Sequence, residues 1–176
     1  SIQYENDFSE SWKVTLADTG QETLKGGRIK RIERYLSSGT NMLTYGDGVS
    51  DLNLKKLFDY HNSHKKIITV TGVRPPSMFG EIIEEDGKVI SFEEKPQTSK
   101  GLINGGFMVF NKELLDYLEE DGDLEFGAME ELAKTGNVMV YEHKGFWECA
   151  DTIRDINHLN NLWHSDRASW KVWKSK

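Results

Sequence analysis

Apolar side chains in the first 75 residues follow two spacings, one typical of strands and the other of helices. Strand-like runs predict three strands, over 12–16, 41–45 and 67–73. Helical spacing predicts two helices between them, over 28–36 and 54–61. Ser50 or Asp51 is placed to cap the second helix. This alternation of strands and helices is typical of a parallel sheet with crossover helices.

The pattern changes after Pro75-Pro76. Two short strands, 80–84 and 88–93, are predicted on either side of Asp86-Gly87, a dipeptide typical of hairpin turns. Later strands are predicted over 106–110, 138–141 and 146–147, and helices over 114–118, 129–133 and 152–163. The last helix is expected to turn four apolar side chains inward, those of Ile153, Ile156, Leu159 and Leu162. The elements together predict an α/β fold with a Rossmann-like, mixed, mostly parallel sheet flanked by helices.

Composition narrows the class of protein. The 176 residues suit about one domain, and the net charge of −7 argues against nucleic acid as a partner. Cys149 is the single cysteine, so a disulfide framework is excluded and a cytoplasmic location is expected. No apolar run is long enough to predict a membrane span, so no membrane partner is expected. His61 and His64 share a helical face and are expected at its solvated end rather than on a metal.

The strongest candidate for chemistry is Asp47, within Tyr45-Gly46-Asp47-Gly48 directly after the apolar run 41–45. Ligands of open α/β sheets bind beyond the carboxyl ends of strands. A carboxylate there offers the hard oxygen ligand that Mg²⁺ prefers when it also holds substrate phosphates. The two glycines leave room for a ligand near the backbone. The alternative is a plain turn, since Asp and Gly are common turn residues.

Asp151 is the second candidate metal carboxylate, placed between the apolar pair 146–147 and the last predicted helix. Its alternative is a helix N-cap, because Asp is among the residues most favoured at that position.

Three further segments carry groups suited to anions or sugars. Glu94-Lys95-Pro96 offers a fixed ammonium for a phosphate, or is only a charged strand end. Asn104-Gly105 offers an amide and close backbone access to a sugar, or is a loop turn. The stretch from Thr23 to Arg28 offers a hydroxyl, backbone N–H groups and a guanidinium, or is a loop with a capped helix.

The order of these motifs resembles the sugar-nucleotidyltransferases, and among them the cytidylyl-transferring branch. The resemblance covers nearly the whole chain and rests on seven segments, 12–20, 26–28, 45–48, 92–96, 103–107, 145–147 and 151–155, with the tail 170–173. It implies the nucleotide-diphospho-sugar transferase type of fold. It also implies that the chain is the C-terminal two-thirds or so of a single nucleotidyltransferase domain. Residues 1–75 would complete the nucleotide-binding half, 76–163 form the sugar-binding half, and 164–176 form an aromatic tail.

The resemblance also implies roles for individual residues. Asp47 and Asp151 would be the Mg²⁺ ligands and, with Lys95, the catalytic groups. The nucleotide would contact Thr23, Arg28 and Gly46. The sugar phosphate would contact Glu94, Lys95, Asn104 and Gly105. Cys149-Ala150 before Asp151 is a local departure, since relatives often carry bulkier residues there.

The implied reaction joins CTP and α-D-glucose 1-phosphate, giving CDP-glucose and pyrophosphate for dideoxyhexose and lipopolysaccharide synthesis. A homo-oligomer is expected from the aromatic tail and the loop-rich C-terminal part. The family's N-terminal glycine-rich loop, which grips pyrophosphate, does not occur within the 176 residues. The chain by itself is therefore expected to be inactive or nearly so.

Three alternatives remain at this point. The nearest is transfer of a thymidylyl or uridylyl group. A metal-dependent glycosyltransferase also places carboxylates beside a nucleotide-sugar, although Gly46-Asp47-Gly48 lacks the second carboxylate of an Asp-x-Asp strand end. The third is a non-catalytic module that binds a sugar phosphate.

Overall fold

A four-stranded mixed sheet forms the centre of the protein, seen here in a computed structural model that describes residues 13–74, 81–93 and 101–173. The strands in chain order are β1 Thr40–Leu43, β2 Gly48–Ser50, β3 Ile68–Val73, β4 Glu81–Glu85, β5 Lys88–Glu93, β6 Ile103–Asn111, β7 Val138–Glu142 and β8 Trp147–Cys149. The helices are α1 Lys25–Arg31, α2 Leu54–His64, α3 Ala128–Lys134 and α4 Ile153–His164, with 3₁₀ turns at Glu33–Tyr35 and Lys112–Tyr117.

The central sheet has the strand order β1-β6-β3-β7. β6 is antiparallel to both of its neighbours, β1 and β3, whereas β3 and β7 are parallel. Three of the four strands therefore run in one direction and β6 alone is reversed. The prediction of a mixed, mostly parallel sheet in an α/β fold is confirmed. Two small antiparallel sheets, β2 with β8 and β4 with β5, complete the strand pairing of the described residues.

Helices cover both faces of this sheet. Met108 and Phe110 of β6 pack on one face with Ile29 of α1 and Leu132 of α3. Val109, which lies between them on the strand, packs on the opposite face in a second cluster with Leu57 of α2 and with Leu52, which precedes that helix. Because successive side chains of a strand point to opposite faces, one apolar strand supplies the core of both layers. Ligand sites of such three-layer folds lie at the strand ends, where the helices do not cover the backbone.

The predicted first strand is wrong where the structure describes it. Residues 13–16 form no strand, and the side chains of Val14 and Leu16 are 72% and 76% exposed. Trp12 lies outside the described residues. Alternating apolar residues stabilise a strand only when a neighbouring strand and a core receive them, and neither lies beside 13–16 among the described residues.

The hairpin prediction is confirmed, because β4 and β5 pair on either side of Asp86-Gly87. Both turn residues have positive φ, 51° and 76°, which is the requirement of the type I′ turn favoured in hairpins. Four apolar side chains of this hairpin are more than half exposed, those of Ile82, Val89, Ile90 and Phe92.

The two histidines of α2 do not lie at a solvated helix end, since His61 is buried and His64 is partly buried. His61 is 1% exposed, and its Nδ1 lies 2.8 Å from the hydroxyl of Thr69 on β3. Nε2 of His64 lies 2.8 Å from the same hydroxyl. Burial, with smaller contributions from His61 and Lys66, lowers the pKa of His64. The helix is capped by Asn53, whose side chain accepts from the backbone N–H of Lys56, and not by Ser50 or Asp51.

The last helix, α4, is capped at its N-terminus by Thr152. The Thr152 hydroxyl accepts from the N–H of Asp155, and the Asp155 carboxylate accepts from the N–H of Thr152, which is a complete capping box. The expected inward face is wrong for two of its four members, and Leu162 is partly buried. Leu159 is buried, whereas Ile153 and Ile156 are 77% and 45% exposed. Within the described part of the chain, no helix is long and apolar enough to span a membrane.

Candidate functional site

The pairing of β2 with β8 brings Asp47 and Asp151 together. Gly48 pairs with Cys149 at one end of this ladder, and the backbone N–H of Ala150 donates to the carbonyl of Asp47 at 2.8 Å. Asp47 precedes the first residue of β2, and Asp151 follows the last residue of β8 by two positions. The two carboxylates therefore project from the same end of one short sheet, although they are far apart in the sequence.

A cavity of about 220 Å³ lies at this end of the ladder. Its lining joins three segments, namely the bend after β1, the start of β6 and the residues around the end of β8. The lining residues are Thr44, Tyr45, Asp47, Gly48, Asn104, Gly105, Gly106, Trp147, Cys149 and Asp151. The structure thus assembles in one cavity four residues singled out in the sequence: Asp47, Asp151, Asn104 and Gly105.

The chemistry of the donor set fits a hard divalent cation. Asp47, Cys149 and Asp151 each place a possible ligand atom within 4.8 Å of the others. Both carboxylates are exposed, and no ion pair formed within 13–74, 81–93 and 101–173 includes either of them. Two adjacent negative charges repel each other unless a cation neutralises them. Carboxylate oxygens are the ligands that Mg²⁺ and Ca²⁺ prefer.

The thiol of Cys149 is a poor metal ligand in this setting. Burial, reinforced by the neighbouring charges of Asp151 and Asp47, raises its pKa to about 12. Hard cations such as Mg²⁺ prefer oxygen ligands, so the carboxylates rather than the thiol suit such an ion. Its Sγ instead donates to Oδ1 of Asp151 at 3.4 Å.

Asp151 does not cap α4, because that position belongs to Thr152. The capping alternative raised by the sequence is therefore wrong for this residue. With no helix N–H groups to satisfy, the Asp151 carboxylate is available to the cavity.

A hydrogen-bonded chain orders the wall of the cavity opposite the carboxylates. The Asn104 amide donates to the Tyr45 hydroxyl at 3.3 Å, and that hydroxyl donates to the Glu125 carboxylate. The ammonium of Lys25 lies 2.7 Å from the same carboxylate oxygen. Burial and then the Glu125 contact raise the pKa of Tyr45 well above its ordinary value, so its phenol remains a donor. Asn104 also accepts from the N–H of Gly106, and its second amide hydrogen meets no acceptor among the residues that the structure describes.

The glycines of the site serve different purposes. A Cβ at Gly46 would meet nothing within 4 Å, so the backbone beside Asp47 borders open space. A Cβ at Gly105 would lie 2.9 Å from Val73 and 3.1 Å from the carbonyl of Thr71. The structure therefore needs Gly105 for packing within the sheet. Gly106 has φ of 81°, and a Cβ there would lie 2.8 Å from the Tyr45 ring.

Thr23 and Arg28 lie outside the lining of this cavity. Their polar groups are engaged in a separate cluster, where Arg31 donates to the Thr23 hydroxyl at 2.6 Å. Arg28 donates to the Thr19 hydroxyl and to the carbonyl of Gln21. A nucleotide contact at either residue would have to replace or extend these hydrogen bonds.

Glu94 and Lys95 fall outside the described residues, so their predicted roles stay predictions.

Two groups of residues at the site were not predicted from the residues alone. The sequence pattern predicts Tyr45 only as the end of the apolar run 41–45 and Trp147 only as part of the apolar pair 146–147. Trp147 lines the cavity, and its indole N–H donates to the Gly105 carbonyl at 2.8 Å. The position of Trp147 directly before the Asp151 segment was the available signal. The sequence does not indicate a role for Glu125 or Lys25. Both are charged residues typical of a protein surface, and such residues do not reveal which element they contact.

Comparison with known proteins agrees with this arrangement. The nucleotidyl transferase family model matches residues 2–166. The glucose-1-phosphate cytidylyltransferase of Salmonella typhi is 42% identical over 167 residues, which cover 94% of this chain and 65% of that protein. The probable glucose-1-phosphate cytidylyltransferase of Bacillus subtilis is 42% identical over 166 residues, covering 93% and 65%. The chain thus spans about two thirds of the length of the curated relatives it matches.

A solved structure shares the fold. A putative glucose-1-phosphate thymidylyltransferase from Bacillus anthracis superposes with a TM-score of 0.60 over 88% of this chain and 64% of the other, at 18% identity. At that identity the likeness concerns the fold alone. With the family match over almost the whole sequence, it leads to one conclusion: the chain belongs to the nucleotidyl transferase family.

Proposed function

We propose that the protein transfers a cytidylyl group from CTP to α-D-glucose 1-phosphate, giving CDP-glucose and pyrophosphate. The observation that carries the proposal is the meeting of Asp47 and Asp151 at one cavity. The 42% identity to glucose-1-phosphate cytidylyltransferases supports the choice of nucleotide and sugar. The product would enter the synthesis of CDP-sugars for dideoxyhexoses and surface polysaccharides. The proposal includes a cytoplasmic location, which the single cysteine of the sequence supports.

Asp47 and Asp151 would hold the divalent metal, which we propose to be Mg²⁺. Two carboxylates with water and substrate phosphates are the usual ligand set of Mg²⁺ in such enzymes. When bound, the ion supplies neutralisation of the negative charge that develops on the phosphate oxygens. The thiol of Cys149 would serve only as a hydrogen-bond donor to Asp151.

The reaction needs no covalent enzyme intermediate. An oxygen of the sugar phosphate attacks the α-phosphorus of CTP, and the bond from that phosphorus to the bridging oxygen breaks, releasing pyrophosphate. The task of the protein is to hold the two anionic substrates in line against their mutual repulsion. We assign the sugar-phosphate end to Lys95 and Glu94. The second amide hydrogen of Asn104 would donate to a sugar hydroxyl, with Gly105 beside it.

The nucleotide would lie along Gly46, where the open space beside the backbone leaves room for it. We assign Thr23 and Arg28 to contacts with its base, ribose or phosphates. Arg31 and Thr19, their present partners, would hold the two side chains in position until the nucleotide arrives.

A homo-oligomer forms part of the proposal. The side chains of Trp163, Val172 and Trp173 are 42%, 70% and 56% exposed, and the rings of the two tryptophans lie 6.2 Å apart. Apolar side chains clustered at a surface often mark a protein interface. Light scattering at micromolar concentration is expected to give a mass at least twice that of one chain. A monomeric mass would contradict this part of the proposal.

The first prediction concerns the metal. Asp47→Asn and Asp151→Asn are each expected to weaken Mn²⁺ binding by about tenfold or more, since even changes beyond the ligands cost that much in metal sites. Titration of Mn²⁺ followed by electron paramagnetic resonance, with Mg²⁺ as competitor, measures the affinity.

Cys149→Ala is the matched control for this titration, because it changes the third member of the same cluster. Its affinity for Mn²⁺ is expected to stay close to that of the unchanged protein. If Cys149→Ala greatly lowered the affinity for Mn²⁺ and the two Asn variants hardly changed it, the thiol and not the carboxylates would be the metal ligand.

The second prediction concerns the nucleotide. With glucose 1-phosphate and Mg²⁺, pyrophosphate release by the natural full-length protein is expected to be fastest with CTP among CTP, dTTP, UTP and ATP. A preference for dTTP or UTP would assign the protein to thymidylyl or uridylyl transfer instead. Binding of CDP-glucose without release of pyrophosphate from any triphosphate would support a non-catalytic binding module.

A further inference from the structure

His143 joins the central sheet to the small sheet that carries the two carboxylates. Its backbone N–H donates to the carbonyl of Gly72 at 2.9 Å, which continues the parallel pairing of β7 with β3 one residue beyond Glu142. Its side chain turns away from this pairing and reaches the far end of the β2–β8 ladder. The residue therefore belongs to both sheets, through its backbone in one and its imidazole in the other.

The imidazole meets three oxygen atoms through a single nitrogen. Nε2 lies 3.1 Å from the Ser50 hydroxyl, 3.1 Å from the carbonyl of Phe146 and 3.0 Å from Oδ1 of Asp51. Ser50 gives its own proton to the Phe146 carbonyl at 2.8 Å, so Nε2 must be the donor. The approach to Asp51 is a close contact and not an aligned hydrogen bond, since this buried oxygen accepts none from the residues that the structure describes.

The packing around this contact admits no extra atom. A Cβ at Gly145 would collide with Oδ1 of Asp51 and lie 2.7 Å from Cε1 of His143. The N–H of Asp51 also donates to the Phe146 carbonyl at 3.2 Å. The segment from 143 to 146 is thus fastened to the end of β2 by backbone and side-chain contacts together.

The constellation is not a nucleophile of the Ser-His-Asp type. In that arrangement the carboxylate binds Nδ1 and the serine hydroxyl binds Nε2 of the same histidine. Here Ser50 and Asp51 both lie at Nε2, so the carboxylate cannot orient the ring for attack by the hydroxyl.

The short ladder needs such an attachment. β2 and β8 form only three residue pairs, Gly48 with Cys149, Val49 with Glu148 and Ser50 with Trp147. A two-stranded sheet is marginally stable by itself in water. His143 holds the end of the ladder at Ser50, whereas Asp47 and Asp151 project from the opposite end.

We propose that His143 is a positioning residue, which fixes the β2–β8 ladder on the central sheet and thereby sets the separation of Asp47 and Asp151. The test of this role by Mn²⁺ affinity rests on the proposed function, because it assumes the metal site. The test by hydrogen exchange does not. Ser50 and Asp51 act with it as the oxygen partners of Nε2.

Hydrogen exchange of the Ala150 amide tests the proposal directly, because that N–H bonds to the carbonyl of Asp47. In His143→Ala this amide is expected to exchange about tenfold or more faster, as the ladder opens more often, with no change in the core strand β6. His143→Gln keeps an N–H donor near the position of Nε2 and is expected to restore most of the protection. His164→Ala removes an exposed imidazole from the end of α4 and serves as the control.

Mn²⁺ affinity is measured on the same variants. His143→Ala is expected to lose about tenfold in affinity, with recovery in His143→Gln. If His143→Ala does not fold, Ser50→Ala removes one partner of Nε2 and is expected to act in the same direction. Unchanged exchange at Ala150 in a folded His143→Ala or Ser50→Ala variant overturns the inference. If the Ala150 amide exchanges faster in these variants, but neither they nor the unchanged protein bind Mn²⁺, the positioning role is supported and the proposed metal site is overturned.

Discussion

The pairing of β2 with β8 is the interaction on which the site depends. Three residue pairs and one further hydrogen bond, from Ala150 to the carbonyl of Asp47, bring together two carboxylates from distant parts of the chain. Without this ladder Asp47 would be a turn residue and Asp151 an exposed acid before a helix. With it, two negative charges that form no ion pair with any other described residue face one cavity, which is an unfavourable arrangement unless a cation is bound.

The rest of the fold supports this small sheet from two sides. The reversed strand β6 brings Asn104 and Gly105 to the cavity, and the indole of Trp147 ties β8 to the Gly105 carbonyl. His143 connects the Ser50 end of the ladder to the parallel strands β3 and β7. The carboxylates therefore belong to a short element that two side chains attach to the rigid central sheet. That arrangement suits a reaction in which correct placement of two anions supplies most of the rate.

Sequence periodicity predicted most elements of the fold, because β3, β6 and α2 carry continuous or regularly spaced apolar residues. It failed where local pattern and tertiary context disagree. Residues 13–16 alternate like a strand but have no neighbouring strand among the described residues, and Ile153 and Ile156 repeat like a core face but are exposed. His61 was expected in solvent, yet Thr69 of β3 gives its imidazole a buried partner. Asp47 and Asp151 were found from their places at strand ends, whereas Glu125 and Lys25 depend on contacts that no local pattern records.

We propose that Asp47 and Asp151 together bind one divalent cation beside the nucleotide. Anomalous diffraction from crystals of the protein with Mn²⁺ and CDP-glucose measures this binding. We expect a single manganese peak in contact with one oxygen of each carboxylate and with a phosphate oxygen of the nucleotide-sugar. A peak bound elsewhere, or a nucleotide-sugar bound away from both carboxylates, would contradict it.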